Sequence, residues 1–230
     1  MAPLLFLNPR RCGGAVLGAL FFGLVIISGV TGQGTQPWEI ITLDIWTIDD
    51  SIIHGTESRP ERRLIQEAQF TLSGMMFGWD FSYTPGQIAR NLPESFDLTP
   101  IATVPIGAPG LAVRQSRRVE EKVYGLIDYY LSAEERQHVS RWLSITGHTS
   151  RGNGVGDLME GWPGKQQAVE AALKHAVREH LRQRYPNRPL DAEGSVRLTH
   201  PPRIVAVSGQ YQATVRVMVV VREVREFQVW

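Results

Sequence analysis

The residues best suited to chemistry cluster in one glycine-rich stretch. Between Gly147 and Gly164 there are six glycines in 18 residues, interleaved with His148, Asp157 and Glu160. A histidine and two carboxylates are the side chains of general acid–base and metal-assisted hydrolysis, provided the backbone brings them to one point. Glycines at this density predict an irregular connector at 147–164, so the same stretch also reads as a surface loop. Gly164-Lys165 opens a helix, where a phosphate-binding loop carries its lysine. That motif needs glycine where Met159 stands and Ser or Thr where Gln166 stands. Gly152-x-Gly154-x-Gly156 lacks the dinucleotide spacing, and no strand is expected before it. Nucleotide cofactors are therefore not implied.

A second group, Asp49, Asp50 and His54, follows a strand-like segment, a common place for catalytic groups. No G-x-S-x-G elbow or cysteine nucleophile completes a triad with it. Histidines spaced four from a carboxylate, His175 with Glu179 and His138 with Glu134, have metal-ligand spacing but read more simply as surface helix pairs. HExxH is absent, as are cysteine ligands, so no metal and no cofactor is expected. His180 falls on the seam of Val169, Leu173 and Ala176, the place of a boundary histidine. The basic run Lys174, Arg178, Arg182, Arg184 and Arg188 fits a solvated helix face, with anionic lipid or cell-wall polymer as the functional alternative.

The N-terminus sets the compartment. Arg10 and Arg11 precede an uncharged run from Cys12 to Val30, followed by Thr31-Gly32. Basic start, apolar centre and small-residue exit are the three parts of an export signal, with cleavage expected after Gly32. The run of 19 residues also suffices to span a bilayer, so residues 12–30 are either a cleaved signal or a retained inner-membrane anchor. Removing 1–32 leaves 198 residues, 33–230, enough for one domain with its own core. That portion carries 22 basic and 23 acidic groups and gives no reason to expect nucleic acid as a partner. Cys12 is the only cysteine, so 33–230 forms no internal disulfide. These features point to a bacterial periplasm or cell envelope, with envelope proteins or cell-wall polymer as candidate partners.

The elements that must position these groups follow from periodicity. Trp38–Ile48 reads as an interior strand, and Leu64, Ile65, Ala68, Leu72 and Met75 predict a helix from Pro60, stopped near Gly74. Phe77, Trp79, Phe81 and Tyr83 alternate with polar or small residues, the period of a strand with one aromatic face. Residues 93–104 look extended, with Pro100 favouring an edge. Val119, Val123, Leu126, Ile127 and Tyr130 predict a helix. Ser132 and Glu135 predict a capping box on the next one, and Lys165–Arg184 a further helix. After Pro201-Pro202, the residues from Tyr211 to Val221 alternate until the pattern breaks at Glu223. A bulge at 221–223 is expected there. The sum is an α+β domain, a mainly antiparallel sheet with about four helices on one side. The functional expectation is a non-catalytic binding or scaffold module. The alternative is a periplasmic hydrolase or metal-dependent enzyme built on His148, Asp157 and Glu160.

Overall fold

Two antiparallel sheets and three α-helices make up the described residues, which in this computed structural model are 39–49, 59–86, 93–145, 147–186 and 190–226. Asp50, His54 and the expected signal or anchor, 1–32, lie outside them. The smaller sheet has strand order β1-β5-β4, from β1 (Ile40–Ile48), β4 (Leu111–Val119) and β5 (Lys122–Tyr130). The larger runs β3-β2-β7-β9-β6, with β8 also paired to β9. Its members are β2 (Trp79–Thr84), β3 (Ser95–Pro100), β6 (His148–Asp157), β7 (Leu190–Leu198), β8 (Arg203–Val207) and β9 (Gln210–Glu226). The helices are α1 (Pro60–Met76), α2 (Ala133–Ser144) and α3 (Trp162–Arg184). All described strand pairs are antiparallel.

Helix α1 buries Leu64, Ala68, Leu72, Met75 and Met76 and touches β1 and β5 of the small sheet and β7 of the large one. It therefore sits between the sheets, not in a layer on one side. Gly74 remains helical; the stop is Gly78 (φ 76°), whose N–H donates to the Ser73 carbonyl at 3.0 Å. Trp79, Phe81 and Tyr83 enter the core as the alternation predicts, while Phe77 caps α1 and is half-buried. β3 is an edge strand, as Pro100 suggests. The capping box on α2 is complete. Glu135 N–H donates to Ser132 Oγ at 3.3 Å and Ser132 N–H to Glu135 Oε2 at 2.7 Å.

Three expectations need correction. First, the segment around 119–130 is not helical. It is the β4–β5 hairpin, turned at Glu120-Glu121 with Glu120 at φ 54°. Val123, Gly125, Ile127 and Tyr129 face inward at strand period, a pattern that overlaps helical spacing over so short a span. Hence three α-helices replace the expected four, joined by one short 3-10 turn at Leu158–Glu160. Second, the described part of 38–48 is not an interior strand. β1 lies at the edge of the small sheet, burying Ile41, Leu43 and Thr47 and exposing Ile40, Thr42 and Asp44. Third, the glycine-rich stretch is not a loop. Residues 148–157 form β6, paired with β9 along its whole length.

Close packing explains the third correction. Gly152, Gly154 and Gly156 alternate along β6, facing α3. A Cβ on Gly152 would lie 1.9 Å from the Ala172 carbonyl oxygen, and one on Gly156 1.9 Å from that of Gly164. Ala168, Ala172 and Ala176 recur every four residues on the facing side of α3 and are fully buried. Small residues on both elements bring helix backbone directly onto strand backbone. The bulge in β9 is present as expected. Glu193 pairs with Glu223 but Gly194 with Val221, leaving Arg222 over, and the half-buried positions shift from Val221 to Val224 beyond it.

Candidate functional site

Where β1, α1, α3 and the start of β8 converge, a cavity of about 220 Å³ opens to solvent. Trp46, Phe70 and Trp162 supply aromatic walls, Glu67 and Lys165 a charged element, and Asp44 and Arg203 also line it. Lys165 is the second residue after Pro163 in the first turns of α3, and Glu67 lies on the seam of α1 between Leu64 and Ala68. Helix packing therefore forces both into the interior; they are 2% and 4% exposed.

Lys165 Nζ donates to Glu67 Oε2 at 2.9 Å and to the Trp46 carbonyl oxygen. It also stands 4.0 Å from the centroid of the Trp46 ring and 5.7 Å from that of Tyr211. Burial pushes the Glu67 carboxyl above its ordinary range against the pull of Lys165, and pushes the Lys165 ammonium down against the pull of Glu67. The Thr47 side chain also pulls the Glu67 carboxyl down, and Oε1 is buried out of reach of solvent. A buried, mutually compensated pair under aromatic walls, at the edge of a cavity, is the kind of place where binding sites are found. Phe70 stacks edge-on against Trp162 (5.5 Å) and tilts against Trp79 (5.6 Å), so the walls are braced by the core.

The residues singled out from the sequence are dispersed. His148 begins β6 and Asp157 ends it, nine residues on, about 30 Å at strand rise. Asp157 Oδ1 accepts from Met159 N–H at 2.8 Å and so caps the 3-10 turn; Glu160 lies in that turn, exposed. Thus Asp157 and Glu160 are neighbours, and His148 is not brought to them. His148 instead lies beside His180 (ring centroids 5.7 Å) and Arg184, whose Nη1 is 3.0 Å from its Nε2. Burial, with His148 and Arg184 adding to it, holds the His180 pKa below the ordinary value. No three His, Cys, Asp or Glu side chains among the described residues stand close enough together to hold a metal ion. His175 accepts from Asn153 N–H at 3.3 Å through Nδ1, and His138 packs edge-on to Phe77.

Sequence reasoning singled out Lys165 only as a failed phosphate-loop lysine and passed over Glu67. The available signal was a charge on an apolar seam in each helix, Glu67 beside Ala68 and Lys165 one turn before Val169.

The chain belongs to the protein family whose model matches residues 29–227. It is similar to an uncharacterized protein of Treponema pallidum (strain Nichols), 28% identical over 207 residues, which cover 87% of either chain. No solved structure matches. Neither match brings an activity with it.

Proposed function

We propose that this chain is an exported, non-catalytic binding module of the bacterial cell envelope that holds its ligand in the Trp46–Phe70–Trp162 cavity. One observation carries the binding role: an aromatic-walled opening of about 220 Å³ bordered by the buried Lys165–Glu67 pair. Burying two charges beside a cavity is costly for stability alone, since well-packed apolar residues serve as well or better. Export rests on the arrangement of Arg10-Arg11, the uncharged run 12–30 and Thr31-Gly32. The hydrolase alternative requires His148 to meet Asp157 and Glu160, and the length of β6 stands between them.

The test uses the native protein isolated from cells that make it. Fractionation and N-terminal sequencing are expected to find it outside the cytoplasm, starting near Gln33 or retained in membranes with Met1. Soluble envelope fragments are expected to slow hydrogen exchange at 44–46, 67–71 and 162–169. Full-length protein confined to the cytosol would overturn export. Protection centred on His148 and His180, or hydrolysis abolished by His148→Ala, would overturn the binding-module reading.

A further inference from the structure

The loop between β3 and β4 holds an apolar side chain out in water. From Leu98 to Val113 run 16 residues without a charge, whose only polar side chains are Thr99 and Thr103. Val104 and Ala108 turn inward and are buried, while Ile106 between them is 87% exposed. Two buried polar side chains of α1 fix the loop in that position. Gln69 Nε2 donates to the Pro105 carbonyl at 2.7 Å, and Ser73 Oγ accepts from Val104 N–H at 2.8 Å. The Ala108 N–H closes the turn on the Pro105 carbonyl at 3.2 Å, with Gly107 at φ 77°. A single exposed isoleucine is ordinary. This one has neighbours of its kind. Ile101 and Val113 of the same stretch are exposed. The Gly110 carbonyl accepts from Tyr130 N–H at 2.9 Å, and Tyr130 stands opposite Ile40 in β1. Both are exposed, at the same end of the small sheet.

The backbone of this loop suits lipid better than a protein partner. A protein interface carries about one hydrogen bond per 100–200 Å², and the loop has few donors to give. Pro100, Pro105 and Pro109 have no N–H, and those of Ile101, Val104, Ala108 and Leu111 already donate within the chain. In an apolar phase, where every free N–H is costly, the same economy is an advantage. Charge is not the driving term. Arg114 pairs with Asp128 and Arg118 with Asp49, while Arg117 stands over the Tyr124 ring at 5.1 Å. The basic face of α3 is engaged likewise, Lys174 and Arg178 with Glu94 and Arg182 with Glu179. Chain connectivity brings a bilayer within reach. Only residues 31–39, nine in number, separate the uncharged run 12–30 from Ile40 at the start of β1. Nine residues extend at most about 32 Å, so a retained run keeps the start of β1 within that distance of a membrane.

Resting on the export reading, we propose that the 99–113 loop is a lipid-contact element that seats Ile106 in the interfacial region of a bilayer by apolar insertion, without need of anionic lipid.

The test puts an environment-sensitive fluorophore on the full chain through Ile106→Cys in a Cys12→Ser background, which leaves one thiol to label. Val155→Cys, at an exposed position of β6, is the matched control. The labelled chains are reconstituted in phosphatidylcholine vesicles and in vesicles that also contain phosphatidylglycerol, with a thermal melt of each. A blue shift and at least twofold brighter emission are expected at position 106 in phosphatidylcholine alone, unchanged by raised salt and quenched by nitroxide-bearing lipid. Position 155 is expected to show neither. Water-like emission at 106 in both vesicle types, or an equal shift at 106 and 155, would overturn the proposal. So would a shift confined to phosphatidylglycerol and lost in salt, which would make the contact electrostatic. A shift that grows as more chains share each vesicle would give the loop to a second copy instead of lipid. Fractionation that finds the native chain in the cytosol would overturn export alone, since the vesicle measurement reads the loop independently of where cells keep the protein.

Discussion

Replacing Gly152 by alanine adds one methyl group to β6 and is expected to cost far more than its size suggests. In an ordinary strand this change is favourable by about 0.5–1 kcal/mol, because glycine loses more freedom on folding. Here the new Cβ would lie 1.9 Å from the Ala172 carbonyl oxygen, 2.7 Å from Ala176 N and 2.9 Å from Ala176 Cβ. Two of these three atoms are helix backbone, so no rotamer change relieves the clash; α3 has to retreat. Retreat loosens Val169, Leu173 and Val177, all buried, and draws Lys165 away from Glu67. Overpacking of this kind costs about 1–3 kcal/mol and sometimes more, which outweighs the gain in strand propensity. A net loss of about 2 kcal/mol is therefore expected, a sizeable share of an ordinary domain's 5–15 kcal/mol. Gly147→Ala is the matched control. The atoms nearest its Cβ all belong to the Met218 side chain, the first at 2.5 Å, and a flexible thioether can move aside, for a change of less than about 1 kcal/mol. Urea denaturation of the two variants beside the unsubstituted protein measures both. Gly152→Ala as stable as its parent would show that α3 does not rest backbone-on-backbone against β6.

Three further outcomes are expected. Lys165→Met alone leaves the Glu67 carboxyl buried without its cation and is expected to cost about 3–5 kcal/mol. The double change Glu67→Met/Lys165→Met is expected to be near neutral, and a denaturant-measured cycle checks the difference. His180 is 6% exposed and its pKa is held below the 6.5 of a free imidazole, so its stabilising contribution is full above 6.5 and disappears as pH falls through the lower, folded value. His180→Leu is accordingly expected to flatten the acid side of the stability–pH curve, and an unchanged slope would count against it. Phe81, 3% exposed and against Phe96, is expected to cost about 3–5 kcal/mol on substitution by alanine, and half-buried Phe77 less, as read by thermal unfolding.

What could be read from the sequence was whatever depended on neighbours along the chain. Ser132 and Glu135 are three apart, and their reciprocal bonds need nothing distant. The aromatic alternation to Tyr83 and the slip at Arg222 are periodic within one strand, so both were legible. The β4–β5 hairpin was not. Its turn uses Glu120 at φ 54° without glycine or asparagine, and β4 is exposed along nearly its whole length, so it carries no apolar alternation. The glycine-rich stretch misled for a different reason. Glycines at 152, 154 and 156 satisfy a loop by freedom and a strand by absence of bulk, and composition alone does not separate the two. Their spacing of two residues, matched to alanines spaced by four at 168, 172 and 176, was the distinguishing sign.

The candidate site was harder to see because its parts are far apart in the chain. Lys165 meets Glu67 across 98 positions and Trp46 across 119, so no spacing rule joins them. Each leaves only a local anomaly, a charge where the helical pattern asks for an apolar side chain. Lone anomalies of that sort are weak, since long side chains on boundary positions commonly reach water. Here neither does: at 2% and 4% exposure the two charges are held by each other. Two anomalous charges of opposite sign on the inward seams of two helices are therefore more informative jointly than singly. Each is untenable buried alone, and each supplies what the other needs. The same reasoning separates this place from His148 and His180. There burial holds the His180 pKa down and the residues beside it, His148, Gln183 and Arg184, supply no carboxylate, so the cluster has no internal counter-charge to hold a polar centre away from solvent.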